Sequence, residues 1–223
     1  MKMTWKKFFY ILLGVAVLVL LGFLYILYLV NAVPRKYEQE LKIPPSVHQQ
    51  PAQELLDTVD DIKENIRWGD DLNYEITQQQ INGWLATQLN GNPHVSLPDG
   101  IRNPRILIDQ PQQTLYFTLE RSRFTSAISI QLTIELAEQP NTIEIKLNSL
   151  HAGNLPIRIK RVFDEIESAM ARSGVDFKWK PGTDRTVAIV RIPTVVRIKR
   201  ERELDITSLE FLKEKVRVQV AID

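Results

Sequence analysis

An uninterrupted apolar stretch, Phe8 to Val30, constrains this chain more than any other feature. No charge falls between Phe8 and Pro34, and a run of that kind satisfies its backbone in apolar surroundings as a helix. Its 23 residues would rise about 34 Å, enough to cross a hydrocarbon core of about 30 Å. Trp5, Tyr10, Tyr25 and Tyr28 lie towards its ends, where amphipathic rings favour the membrane interface. A cleaved signal peptide is the competing reading, since Val30-Asn31-Ala32 is a passable small-residue site. Its apolar core would, however, far exceed the usual length of about 7–15 residues. The expectation is an uncleaved, single-pass anchor in the cytoplasmic membrane. Lys2, Lys6 and Lys7 favour a cytoplasmic N-terminus, and Arg35 and Lys36 on the far side weigh against it without reversing it.

The 223 residues leave room for that anchor and one sizeable domain. Residues 1–34 are expected to form a cytoplasmic tip and anchor, and 35–51 a linker in which Pro44, Pro45 and Pro51 prevent regular structure. Residues 52–223 then form an extracytoplasmic domain. Beyond the three leading lysines, 25 basic residues stand against 27 acidic ones, so no strongly basic face is offered to nucleic acid. Cysteine is absent, which excludes disulfides and thiolate metal ligands.

Periodicity divides the domain. Leu55, Leu56, Val59, Ile62 and Ile66 make one stripe of a helix over Ala52–Arg67, stopped by Gly69. Leu72–Ile76 is extended. Thr77 and Gln80 have the spacing of a capping box that opens a second helix bearing Ile81, Trp84, Leu85 and Leu89, broken at Asn90-Gly91-Asn92-Pro93. Strands follow at Ile106 and Ile108, then at Leu115, Phe117 and Leu119, which alternate with polar residues. Ser126–Leu136 has the cleanest alternation, with Ile128, Ile130, Leu132, Ile134 and Leu136 on one face. Extended throughout, it spans roughly 36 Å. After a turn at Gln139-Pro140-Asn141 come Ile143, Ile145 and Leu147, a turn at His151–Asn154, and a long helix over Leu155–Ser173. Asn154 would cap that helix, Pro156 sit in its first turn, and Gly174 end it. Its stripe is Ile159, Val162, Phe163, Ile166 and Met170, which needs a sheet face to cover it. Further strands are expected at Val175–Lys180, Thr186–Ile192, Thr194–Ile206 and Lys215–Ile222, with a helical turn at Leu209–Leu212. Short turns between consecutive strands imply an antiparallel sheet, hence an α+β fold.

Reactive constellations are scarce. His48 falls in the linker and His94 and His151 at turns, without metal-ligand spacing, and no phosphate loop or nucleophile elbow occurs. Asp60-Asp61 and Asp70-Asp71 are sequence neighbours that do not face one another. Neither catalysis nor a cofactor is therefore expected. Arg197 and Lys199 would project together from one strand; such charge keeps an edge strand soluble, or attracts anionic lipid headgroups near a bilayer.

The segments YEITQQQINGWLATQL and LNSLHAGNLPIRIKRVFDEI, in this order behind an anchor, carry a resemblance to the YpmS-like and LmeA-like bacterial envelope proteins. The positions that match are Asn82 and Leu85, then Gly153, Leu155 and Pro156. Such proteins look like relatives of tubular lipid-binding domains, and the resemblance implies a strongly bent antiparallel sheet wrapped around a long amphipathic helix. It further implies an apolar groove and no catalytic residues. The expected lining is Leu115, Phe117, Leu119, Ile128, Ile130, Leu132, Ile134, Ile159, Val162, Phe163, Ile166 and Met170. The function expected is binding or handing on a lipid or other apolar envelope molecule. The alternative is a structural adaptor that binds an envelope protein through its sheet edge.

Overall fold

Three helices precede the first strand: α1 (Trp5–Asn31), α2 (Arg35–Leu41) and α3 (Pro45–Trp68). β1 (Leu72–Thr77) and α4 (Gln78–Thr87) follow. Then come β2 (Ile101–Asp109), β3 (Gln112–Arg121), β4 (Phe124–Leu136), β5 (Thr142–Ala152), β6 (Leu155–Pro156), β7 (Asp176–Trp179), β8 (Val187–Arg191), β9 (Val195–Arg197), β10 (Glu201–Leu212) and β11 (Lys215–Ile222). This computed structural model describes residues 5–89, 97, 99–121, 124–157, 163–164, 167–168, 170–171, 175–193, 195–197 and 201–222, without the side chains of 5–14, 196–197 and 201–202.

The fold is mixed α+β with two antiparallel sheets, one of seven strands in the order β2-β3-β4-β5-β8-β7 with β6 beside β5. The other has four, in the order β1-β11-β10-β9. Asn141, in the turn after β4, joins them. Its amide donates to the Leu204 carbonyl at 2.7 Å and accepts from the Ile206 amide at 2.8 Å. The long alternation expected in β4 is present, and β5 holds it in register by a bulge. Leu132 pairs with Leu147 and Gln131 with Ser149, so Asn148 is the extra residue. Without it, Leu150 and Ala152 would turn to the opposite face from Ile143, Ile145 and Leu147.

The capping box at α4 is present: the Gln80 amide donates to Thr77 Oγ1 and the Thr77 amide to Gln80 Oε1. α3 and α4 meet closely at Gly83, where an added Cβ would lie 2.8 Å from the Ala52 nitrogen and the His48 carbonyl oxygen. From α4, two side chains then cover the outer edge of β2. Asn82 accepts from the Ile106 amide at 2.8 Å and donates to the Ile106 carbonyl at 2.9 Å, while Gln78 Oε1 accepts from the Ile108 amide at 2.8 Å. The Ile108 carbonyl takes the Glu214 amide. An otherwise unpaired edge is thus satisfied without a further strand. Asn82→Ala should cost about 1–3 kcal/mol in denaturant melts, because it strands buried backbone groups. A loss below about 0.5 kcal/mol, the usual surface effect, would contradict this edge arrangement.

Several sequence expectations are corrected. Residues 35–51 are not an irregular linker but α2 and the first turns of α3. Pro44 is extended (φ −60°, ψ 145°), Pro45 occupies a helix start where its missing N–H costs nothing, and Pro51 is accommodated inside α3. α3 therefore begins seven residues before the expected Ala52. Leu155-Pro156 is strand, pairing with Ala152 and His151, so the long helix does not start there. Asn154 is no N-cap; its own amide donates to the Leu29 carbonyl. The single strand expected over Thr194–Ile206 is split into β9 and β10, which pair Arg197 with Glu201. Leu209–Leu212 continues β10 rather than forming a helical turn, since each residue pairs with β11. His151 lies in β5, not at a turn. Asn90-Gly91-Asn92-Pro93, His94 and Gly174 lie outside the described residues.

Candidate functional site: an apolar sheet face and a docked helix end

Paired residues in neighbouring strands share a face, so register assembles the candidate site directly. Ile106, Leu115, Ile130 and Leu150 form one row across β2-β3-β4-β5, and Phe117, Ile128 and Ala152 the next. Towards the other end, Ile134, Ile145, Ala188 and Trp179 form a row across β4-β5-β8-β7, followed by Leu136, Ile143, Val190 and Phe177. Ile128, Ile130, Leu150 and Ala152 are buried, and Leu115, Phe117, Leu119, Leu132, Leu147 and Ile157 pack half-buried against them. Gln113 is a buried polar residue on this face. β3 stops beside Leu132, and Gln113 Oε1 accepts from the Ile134 amide that has lost its strand neighbour.

Seven of the expected lining residues, Leu115, Phe117, Leu119, Ile128, Ile130, Leu132 and Ile134, are thus brought onto one face. Residues 163–164, 167–168 and 170–171 are helical. Phe163 packs edge-on against Trp179, with ring centroids 5.5 Å apart, and Trp179 Nε1 donates to Glu167 Oε2 at 3.2 Å. Since Trp179 belongs to the apolar face, these contacts lie over it. Met170 is half-buried; Ile159, Val162 and Ile166 lie outside the described residues. So does Lys199, and of Arg197 only the backbone in β9 is described. A cleft of about 530 Å3 opens at the far end of β5, lined by Pro140, Asn141, Val175, Asp176, Val190, Arg191, Ile192 and Pro193. Of these, Val190 belongs to the apolar face, and none was among the expected lining residues. Phe177, Trp179 and Ala188 were legible as a strand but not as part of this face, because only the β8 register places them there.

The opposite ends of the same strands hold α1. Ser126 Oγ donates to the Val30 carbonyl at 2.7 Å and the Asn154 amide to the Leu29 carbonyl at 2.8 Å, so the helix's last carbonyls are capped by the domain. Gly153, at φ +57°, lies directly under the carbonyls of Leu29, Val30 and Ala32. Along α1, large apolar side chains from Val15 to Tyr28 stay exposed. Among the described residues no single helix is long and apolar enough to cross a membrane; Val15–Asn31 and Arg35–Leu41, bent by 47°, pass together by length and composition.

On the sheet's other face, α2 lays Tyr37 against Leu107, Tyr116 and Ala127. Beside it is a buried polar group. Glu40 accepts from Asn82 at 3.1 Å, and burial holds its carboxyl above the ordinary range against the pull of Asn82, Arg105 and Gln78. Arg105, 7% exposed, donates to the Pro104 carbonyl, and burial lowers its pKa. His48 is not a solvated linker residue: it is 5% exposed, and burial, then Arg105, pushes its pKa down. Among the described residues no three potential ligands gather as a metal site. Because His48 is depressed, the unfolded chain binds its proton more readily than the fold does. The stability tied to neutral His48 is therefore present above pH about 6.5 and lost as pH falls through its folded value. Glu40, shifted upwards, acts oppositely. Relative to wild type, His48→Gln should show a shallower loss of stability on acidification below pH about 6.5. Parallel stability–pH curves would contradict the assignment.

Compared with known proteins, the chain matches no family model, no curated protein and no solved structure.

Proposed function

We propose that this chain is a membrane-anchored extracytoplasmic domain that holds a lipid or another apolar molecule against the apolar face of its seven-stranded sheet, without covalent chemistry. The observation that carries this reading is the apolar register from Leu115 and Phe117 through Leu132 and Leu147 to Phe177 and Trp179, much of it half-buried rather than sealed. The open cleft at its distal end and the helical contacts at Phe163 add support, as expected of a bent sheet around a helix. α1 supplies the anchor, with the bend before α2 at the membrane exit and the N-terminus in the cytoplasm. The tubular lipid-binding resemblance points the same way.

A second reading, an adaptor that binds an envelope protein by its sheet edge, draws on β9. It ends the four-stranded sheet and exposes Val195. Uptake of a fluorescent phospholipid by the full chain in detergent separates the two. Ile134→Trp should lower uptake while the unfolding midpoint is retained, because added bulk fills the space beside the sheet. No uptake by folded wild type leaves the adaptor reading.

A further inference from the structure

Anchor and apolar face meet at one end of the sheet, and the helix there fixes a depth. Tyr28 is 71% exposed, whereas Val30, two residues on, is 8% exposed beneath the domain. Two residues of helix rise about 3 Å. Tyr25 and Tyr28 are the exposed aromatic side chains nearest this end, the kind that settle at headgroup level. Each headgroup layer is about 5–8 Å thick, the difference between a core of about 30 Å and a whole bilayer of about 40–45 Å. The domain surface that begins at Val30 therefore falls within that layer rather than above it. Ser126, which bonds the Val30 carbonyl, is two residues from Phe124, at most about 7 Å along an extended strand. Phe124 opens β4 next to the β3 end and is 41% exposed, a large apolar side chain left open in good part among the described residues. Leu119 pairs with Ser126, so the apolar face begins in the same row.

We propose that this end of the sheet is seated in the headgroup layer of a phospholipid bilayer, with Phe124 inserted, so that the apolar face opens directly onto the membrane and draws its apolar ligand from it. The inference rests on α1 being a membrane anchor. The seat is made by direct contact: three backbone carbonyls of the helix exit meet Ser126, Gly153 and Asn154 with no free linker between. It also differs from headgroup attraction by Arg197, which lies in the other sheet.

The absence of cysteine permits single-site labels. Phe124→Cys, Tyr28→Cys and Glu138→Cys, the last exposed at the distal end of the sheet, would each carry a nitroxide in the full chain, in phosphatidylcholine–phosphatidylglycerol vesicles. Power saturation then compares collision with oxygen, enriched in lipid, and with a nickel chelate, confined to water. Seating predicts that oxygen dominates at Phe124 as at Tyr28, and that the order reverses at Glu138. Oxygen dominant at Tyr28 with nickel dominant at Phe124 overturns the seat and leaves the anchor standing. Nickel dominant at both overturns the seat and the anchor together.

Discussion

Tyr37→Ala is expected to cost about 3–5 kcal/mol, the range for a large aromatic removed from a core. Its side chain is 0% exposed and stacks on Tyr116 with centroids 5.4 Å apart and ring planes 9° from parallel. The hydroxyl donates to the Asn103 carbonyl at 2.9 Å and lies 2.9 Å from Thr118 Oγ1. Tyr37→Phe keeps the ring and loses the hydroxyl's bonds, so it should cost only about 1 kcal/mol. Denaturant melts of the full chain in detergent measure both. If residues 35–51 were a solvated linker, both variants would fall within about 0.5 kcal/mol of wild type.

Gly153→Val should release α1 from the sheet. A β-branched residue at φ +57° stores about 1–3 kcal/mol of strain. Its Cβ would also collide with the Leu29, Val30 and Ala32 carbonyl oxygens. Overpacking against such atoms adds about 1–3 kcal/mol, and they are backbone atoms that cannot rotate aside. Since about 1.4 kcal/mol is a factor of ten, trypsin should cleave at Arg35–Lys36 at least about tenfold faster than in wild type. The melt of the seven-stranded sheet should change far less. Unaltered cleavage would mean that the helix end is not held by this turn.

Both residues mark where the sequence was legible and where it was not. β4 could be read because its large aliphatic residues all belong to one face of the sheet, which sets a period of two in the residues themselves. The α4 cap could be read because both reciprocal bonds fall within four residues. Pro44, Pro45 and Pro51 misled because proline signals a break in isolation, whereas burial of Tyr37, His48 and Ala52 outweighs the one carbonyl that Pro51 leaves unbonded. Gly153 was read as part of a turn and Pro156 as the first turn of a helix, but the chain pairs back on β5 through the two-residue turn Gly153-Asn154, a local hairpin signal that the apolar stripe beyond it outweighed. The cleft could not be read because its walls come from turns and strand ends more than thirty residues apart. Half of the apolar face was visible; the β7 and β8 half needed the register.

A photoreactive benzoylphenylalanine tests the central claim most directly, placed in the full chain at Ile134 on the apolar face and, separately, at Thr133 on the opposite one. After irradiation in native membranes, the account predicts lipid adducts by mass spectrometry at Ile134 and few or none at Thr133. Equal labelling at the two positions, or none at Ile134, would contradict it.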